Sequence, residues 1–103
     1  IDKDMTAALL GRIIKAQEMF IITDVENIYL NFKQESQEDI RETNAKDMET
    51  WLNEGHFWRG TMEPKIKAAL YFLKHHGKEV IITSIENIEN AIQKRAGTRI
   101  LKS

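Results

Sequence analysis

A chain of 103 residues, 42% hydrophobic and 30% charged, has the size and make-up of one globular domain, with a single core that buries roughly 65% of the unfolded surface. Its 15 Lys and Arg balance 16 Asp and Glu to a net charge of −1, which argues against phosphate-backbone binding as the main work because no basic excess exists to release counterions. Zero cysteines exclude disulfides, thiolate catalysis and cysteine-ligated zinc. No apolar stretch approaches the roughly 18 residues that span a bilayer, and no signal-peptide pattern opens the chain. The expectation is a soluble, cytoplasmic domain with neither nucleic acid nor membrane as partner. The opening, Ile1-Asp2-Lys3-Asp4, has no initiator Met and little lead-in to a first helix, as if the chain starts inside a longer one.

Met5, Ala8, Leu9 and Ile13 fall on one face and predict an amphipathic helix over residues 5–15, with Asp4 as its N-cap. Met19–Val25 is a short continuous apolar run, the pattern of a strand buried on both faces. Val80–Ser84 repeats the pattern, and Thr98–Leu101 reads as a third strand. Residues 33–44 are polar without periodicity and read as a surface loop or flap. Met48, Trp51 and Leu52 mark a short helix that stops at Gly55. After the loop His56-Phe57-Trp58-Arg59-Gly60-Thr61, the residues Ile66, Ala69, Leu70 and Leu73 line a stronger helix. Thr61 or a neighbour caps it, Pro64 sits in its first turn and Gly77 closes it. This alternation predicts an α/β fold with parallel strands and right-handed crossovers.

Residues 21–28 (IITDVENI) are echoed at 81–88 (IITSIENI). Two buried strands with similar polar exits explain the echo more simply than a duplication, and Thr83 with Glu86 has the form of a capping box. Both copies set a hydroxyl at a strand's carboxyl end, the edge of an open α/β sheet where ligands bind.

Gly60-Thr61-Met62-Glu63-Pro64-Lys65 runs a glycine loop into a helix start, where backbone N–H groups and the dipole attract anions. A lysine is unfavourable in a helix's first turn. Lys65 therefore either serves an anion or is a solvated, indifferent side chain, and composition alone favours the second. GxxxxGK[ST] is absent, so this is no Walker loop. Asp2-Lys3-Asp4 could orient ammonium groups or hold Mg²⁺; simple capping by Asp4 is the plainer account. Asp24, at the end of a buried strand, suits a ribose hydroxyl, a metal or merely a turn. His75 and His76 fit a helix C-terminus. A lone loop histidine such as His56 is more often structural than a ligand, and Tyr29 and Phe32 read as core before they read as a stacking platform. No Ser/His/Asp arrangement supports acyl transfer.

The segments IDKD, IITDVENIYLNF, EGHFWRGTMEPKIKAALYFL, GKEVIITSIENI and AGTRI together resemble the carbamate kinases of the amino-acid-kinase superfamily. The likeness runs in order and at nearly the family's spacing from Ile1 to about Ile100, and GHFxxGxMxPK combined with IDKD and TDV is its specific part. It implies an α/β sandwich around a large, mostly parallel sheet. It also implies Mg²⁺-dependent phosphoryl transfer between carbamoyl phosphate and ADP, giving ATP and carbamate, in a cytoplasmic homodimer. On the family's pattern Lys65 touches the nucleotide phosphates, Asp4 orients the catalytic lysines and Lys3 stands beside it. Thr23 and Asp24 line the nucleotide site, Tyr29 lies near the ribose or base, and Gly60, Thr61 and Met62 form the loop over the phosphates.

Two departures stand out. Family members read HFAPGSM where Trp58 and Arg59 here replace a small residue and a proline. The resemblance also begins deep inside the family's sequence. The expectation is a C-terminal nucleotide-binding portion, a single domain over residues 1–103 without the N-terminal half and its glycine-rich phosphate turns. Such a portion would be inactive alone and prone to self-association through an exposed sheet edge. The competing expectation is a stand-alone nucleotide-binding or oligomerisation module without catalysis.

Overall fold

Residues 3–103 are described by the computed structural model; Ile1 and Asp2, and with them the first half of the IDKD segment, lie outside the described residues. In chain order the elements are α1 (Lys3–Ile14), β1 (Glu18–Thr23), β2 (Ile28–Leu30), β3 (Glu38–Ile40), β4 (Glu42–Asn44), α2 (Ala45–Asn53), α3 (Met62–Lys74), β5 (Glu79–Ser84), a 3-10 turn (Ile85–Asn87), α4 (Ile88–Ile92) and β6 (Thr98–Leu101).

The main sheet has the order β1-β5-β6-β4. β5 lies inside it, and its Val80–Ser84 run is buried throughout, as an apolar run without alternation requires. β1 pairs with β5 in parallel, Ile21 opposite Ile82, so the two echoed segments lie side by side with a one-residue offset. β4 is parallel to β6, whereas β6 is antiparallel to β5. The sheet is thus mostly parallel and flanked by helices, as expected, but the third strand reverses direction. Gly97, at φ +82, places its backbone against the end of β5, where a Cβ would lie 3.1 Å from the Ile82 carbonyl oxygen. β1 departs from its expectation too: of Met19, Phe20, Ile21 and Ile22 only Ile21 is fully buried. Apolarity does not separate an end strand from a central one; position in the sheet does.

α3 packs on β1 and β5, and α1 and α2 pack on α3. Ile66, Ala69 and Leu73 are buried as their spacing predicts, while Ala68 and Phe72 are buried as well and Leu70 only partly. Phe72 sits between two glycines. A Cβ at Gly11 of α1 would lie 2.7 Å from Phe72 Cε1, and one at Gly77 would lie 2.6 Å from the Phe72 carbonyl oxygen. Gly11, costly for a helix on its own, is what lets α1 approach α3. At the end of α3 the left-handed residue is His76 (φ 78), not Gly77; the Gly77 N–H donates to Phe72 O at 3.0 Å.

Several local expectations change. α1 starts at Lys3, so Asp4 is a first-turn residue and not the N-cap. Thr61 precedes α3 without a side-chain cap; the Glu63 N–H donates instead to Trp58 O at 2.8 Å. The Thr83–Glu86 capping box does not form: Thr83 is a β5 residue whose hydroxyl donates to Glu26 O at 3.0 Å, and Ser84 is the residue that precedes the 3-10 turn. The supposed flap contains β3, paired antiparallel with β2, and β4 in the main sheet. Strands of three residues carry no readable period, and these exist because partners elsewhere pair with them. Buried Thr98 joins the small hairpin to the main sheet, donating to Ile40 O and accepting from the Ile28 N–H. α2 meets expectation with Met48 buried, and Asn44 caps it by accepting from the Asp47 N–H at 2.8 Å.

Since a methyl at position 77 meets backbone as well as a core ring, Gly77→Ala is expected to lower the unfolding free energy by about 1–3 kcal/mol, read as a shifted urea midpoint. An unchanged midpoint would refute the close approach around Phe72.

Candidate functional site

Two concavities open side by side beyond the carboxyl end of β1. The first, about 320 Å³, lies between the turns that follow β1 and β2 and the loop before α3, with Tyr29, Phe32, His56, Phe57 and Trp58 in its lining. The second, about 820 Å³, runs over the start of α3 between α1 and the 3-10 turn, and is lined by Lys3, Asp4, Gly60, Pro64 and Lys65 among others. Thr23, Asp24 and Thr61 line both. One continuous trough therefore has an aromatic end and a cationic end.

The cationic end is built by helix packing. Lys65 Nζ lies 2.9 Å from Asp4 Oδ2, with side chains only 13% and 15% exposed. Lys3 Nζ reaches the same oxygen at 3.7 Å from a largely exposed position. A cation in a first turn opposes the helix dipole; the carboxylate from α1 is the countercharge that holds it there. Gly60 is neither strained nor crowded, since a Cβ there would meet nothing within 4 Å. The space is open on the trough's side of a loop leading to a helix start, where N–H groups lack helical partners.

The aromatic end depends on the turn after β2. Asn31 and Lys33 take positive φ (54 and 63), and the Lys33 N–H donates to Gln37 Oε1 at 2.8 Å, which fixes the turn that presents Phe32. The Tyr29 and Phe32 rings stack, centroids 5.2 Å apart at 22°. Trp58 meets Phe32 edge-on at 6.4 Å and 70°. Thr23 donates its hydroxyl to Asp24 Oδ1 at 3.3 Å where the two ends meet. His56 faces Glu54 at 3.2 Å.

The structure thus gathers the residues that the resemblance assigns to the site, Lys3, Asp4, Thr23, Asp24, Tyr29, Gly60, Thr61, Met62 and Lys65, along one trough; His75 and His76 lie outside it. Sequence reasoning set Phe32 aside as core and His56 as structural, and it gave the cleft no place for Asn27, Phe57 or Lys33. The available signal was aromatic density: Tyr29 and Phe32 three apart after a strand, and Phe57-Trp58 in the glycine loop.

Burial, then the nearby carboxylates of Asp39 and Glu26, raises the Tyr29 phenol above 10.0, with Arg41 opposing. The fold favours the neutral phenol, so this contribution to stability is complete below 10.0 and lost as pH rises through the raised value. Ultraviolet titration should show a tyrosine component ionising above 10.0 that Tyr29→Phe removes; if the component lost in Tyr29→Phe ionises at or below 10.0, the burial of Tyr29 is contradicted.

The amino acid kinase family model matches residues 1–84. Carbamate kinase of Thermoplasma acidophilum is 42% identical over 99% of this chain and 33% of its own length. Carbamate kinase 2 of Enterococcus faecalis is 46% identical over 96% of this chain and 32% of its own. The carbamate kinase from Giardia lamblia bound to AMP-PNP superposes with a TM-score of 0.92 at 34% identity, covering 98% of this chain and 32% of that one. A uridylate kinase from Archaeoglobus fulgidus, 22% identical with a TM-score of 0.68, shares the fold. This chain spans about a third of the length of the curated relatives it matches. Family match, relatives and shared fold agree that the chain belongs to the amino acid kinase family.

Proposed function

We propose that this chain is the nucleotide-binding part of a carbamate kinase, C-terminal in its parent, and that it holds ATP or ADP with the base at the aromatic end of the trough and the phosphates at the cationic end. The observation that carries the reading is the Lys65–Asp4 pair, a mostly buried ammonium fixed at a helix start on the floor of an open groove. A solvated, indifferent lysine would not be held at 2.9 Å by a carboxylate from another helix. The motif GHFxxGxMxPK, which the sequence shares with the carbamate kinases, supports the same reading.

In the parent enzyme a phosphoryl group would pass from carbamoyl phosphate to ADP, leaving carbamate and ATP, or back again. Such transfer asks for positioning and positive charge more than for a nucleophile. Lys65 would stabilise charge on the transferring group and Asp4 would orient the catalytic lysines, Lys3 among them. Thr61 and Met62, with Gly60 before them, would bring the first-turn N–H groups of α3 to the phosphates. Thr23 and Asp24 would lie between phosphates and sugar, with Tyr29 at the ribose or base.

Mg²⁺ would enter with the nucleotide and neutralise phosphate charge. Among the described residues no three His, Asp or Glu gather into a cage. The donor set therefore suits an ion carried by phosphate oxygens and faced by the Asp24 carboxylate, which lines both halves of the trough.

Alone, the chain would bind nucleotide without turnover, and the parent would work as a cytoplasmic homodimer. No helix among the described residues is long and apolar enough to cross a membrane. The outer face of α1, with Ile13 75% and Ile14 66% exposed, favours a second reading, a stand-alone nucleotide-binding or oligomerisation module.

Calorimetric titration with Mg-ADP should give micromolar binding that Lys65→Ala weakens about tenfold or more, ~1.4 kcal/mol. Absence of heat from a folded sample would remove the nucleotide site from this chain. Assayed with carbamoyl phosphate and ADP, the same chain should make no ATP; turnover would refute its dependence on further residues. Binding without turnover, in a chain that also self-associates and whose parent carries no carbamoyl-phosphate half, would favour the module.

A further inference from the structure

We infer that Trp58 determines the specificity of the trough: its indole closes over the planar end of the ligand and lets the site distinguish nucleotides from bare polyphosphates. The inference rests on the nucleotide reading above and goes beyond it by assigning the discrimination to one side chain.

Trp58 is 64% exposed, although a tryptophan is the largest apolar side chain the sequence can place. It is not a core residue turned outward, for the core closes without it; the other tryptophan, Trp51, packs against that core. Its ring stands at the rim of the aromatic cleft, edge-on to Phe32, which in turn is stacked with Tyr29. The stacked pair forms one wall, and the indole forms a second at a steep angle to it. A flat heteroaromatic group laid against the open face of the indole would cover apolar area that the ring now exposes to water.

Backbone geometry ties this ring to the phosphate end. The Trp58 carbonyl accepts from the Glu63 N–H at 2.8 Å, so the residue hangs from the first turn of α3, the turn that carries Lys65. One rigid turn therefore presents an ammonium to the anionic end of a ligand and an indole to its flat end. Bare pyrophosphate can use the first contact and not the second. Stacking accepts any base with a π-face, so Trp58 selects for the presence of a base and leaves its identity to the edge groups of the cleft.

The test uses the 103-residue chain, titrated with Mg-ATP and with pyrophosphate by calorimetry and by tryptophan fluorescence. Trp58→Ala should weaken Mg-ATP about tenfold, within the range seen when a stacking ring is removed, and leave pyrophosphate unchanged. Trp58→Phe keeps a ring and should retain most of the affinity. It should also abolish the fluorescence change seen in the parent sequence, because only Trp51 then remains. Equal Mg-ATP affinity in the alanine variant would overturn the assignment while leaving the nucleotide site intact. An equal loss for pyrophosphate would overturn it as well, by showing that the substitution disturbs the loop and not a base contact. If the unsubstituted chain binds neither ligand, the nucleotide reading itself fails and takes this assignment with it.

Discussion

The spacing between α1 and α3 is the constraint on which the site depends. Phe72 fills the interval between Gly11 on one helix and Gly77 after the other, and neither position has room for a methyl group. Protein interiors pack at crystal-like density, so such a contact sets a distance and does not merely favour nearness. With the helices held at that distance, a carboxylate from the first turn of α1 meets an ammonium from the first turn of α3 at 2.9 Å. The ion pair that marks the trough is therefore a consequence of apolar packing one to two turns away.

That pair also explains a residue type that looks misplaced. A lysine in a first turn is opposed by the helix dipole, and burial adds a desolvation penalty. Asp4 offsets both, and its carboxylate is shared with the more exposed Lys3. An arrangement of this kind contributes little net stability, since a well-packed apolar pair could take its place. Its value is a positive charge held at a known place beside open space.

The aromatic end rests on different physics. A small β2–β3 hairpin presents Tyr29, and its paired Ile28 and Ile40 are buried in the core. One buried hydroxyl, Thr98, attaches it to the main sheet by accepting from Ile28 and donating to Ile40. Arg41 adds a bond of 2.6 Å to the Arg95 carbonyl. β6 is thus both a sheet strand and the anchor of the cleft wall, and its end is secured by Arg99, which pairs with Glu79 and donates to Ala91 O.

Much of this was legible in residue order. Strong apolar periods located α1, α2, α3, β1 and β5 to within a few residues, because side-chain burial on one face leaves a mark every three to four positions or in an unbroken run. The glycine loop, the first-turn lysine and the strand-end Thr23-Asp24 pair were visible as chemistry out of place or at a ligand-binding edge. Three-residue strands, the reversed direction of β6 and the end position of β1 left no such mark, since each depends on a partner far away in the chain. The same holds for the Thr83 hydroxyl, which satisfies Glu26 across the sheet and not the helix start beside it. Sequence alone thus determined which segments must hide apolar surface and which residues carry unusual chemistry, both being local properties. Folding decided which of those residues meet: Asp4 with Lys65 and Phe32 with Trp58 across one trough, because only packing brings positions tens of residues apart into contact.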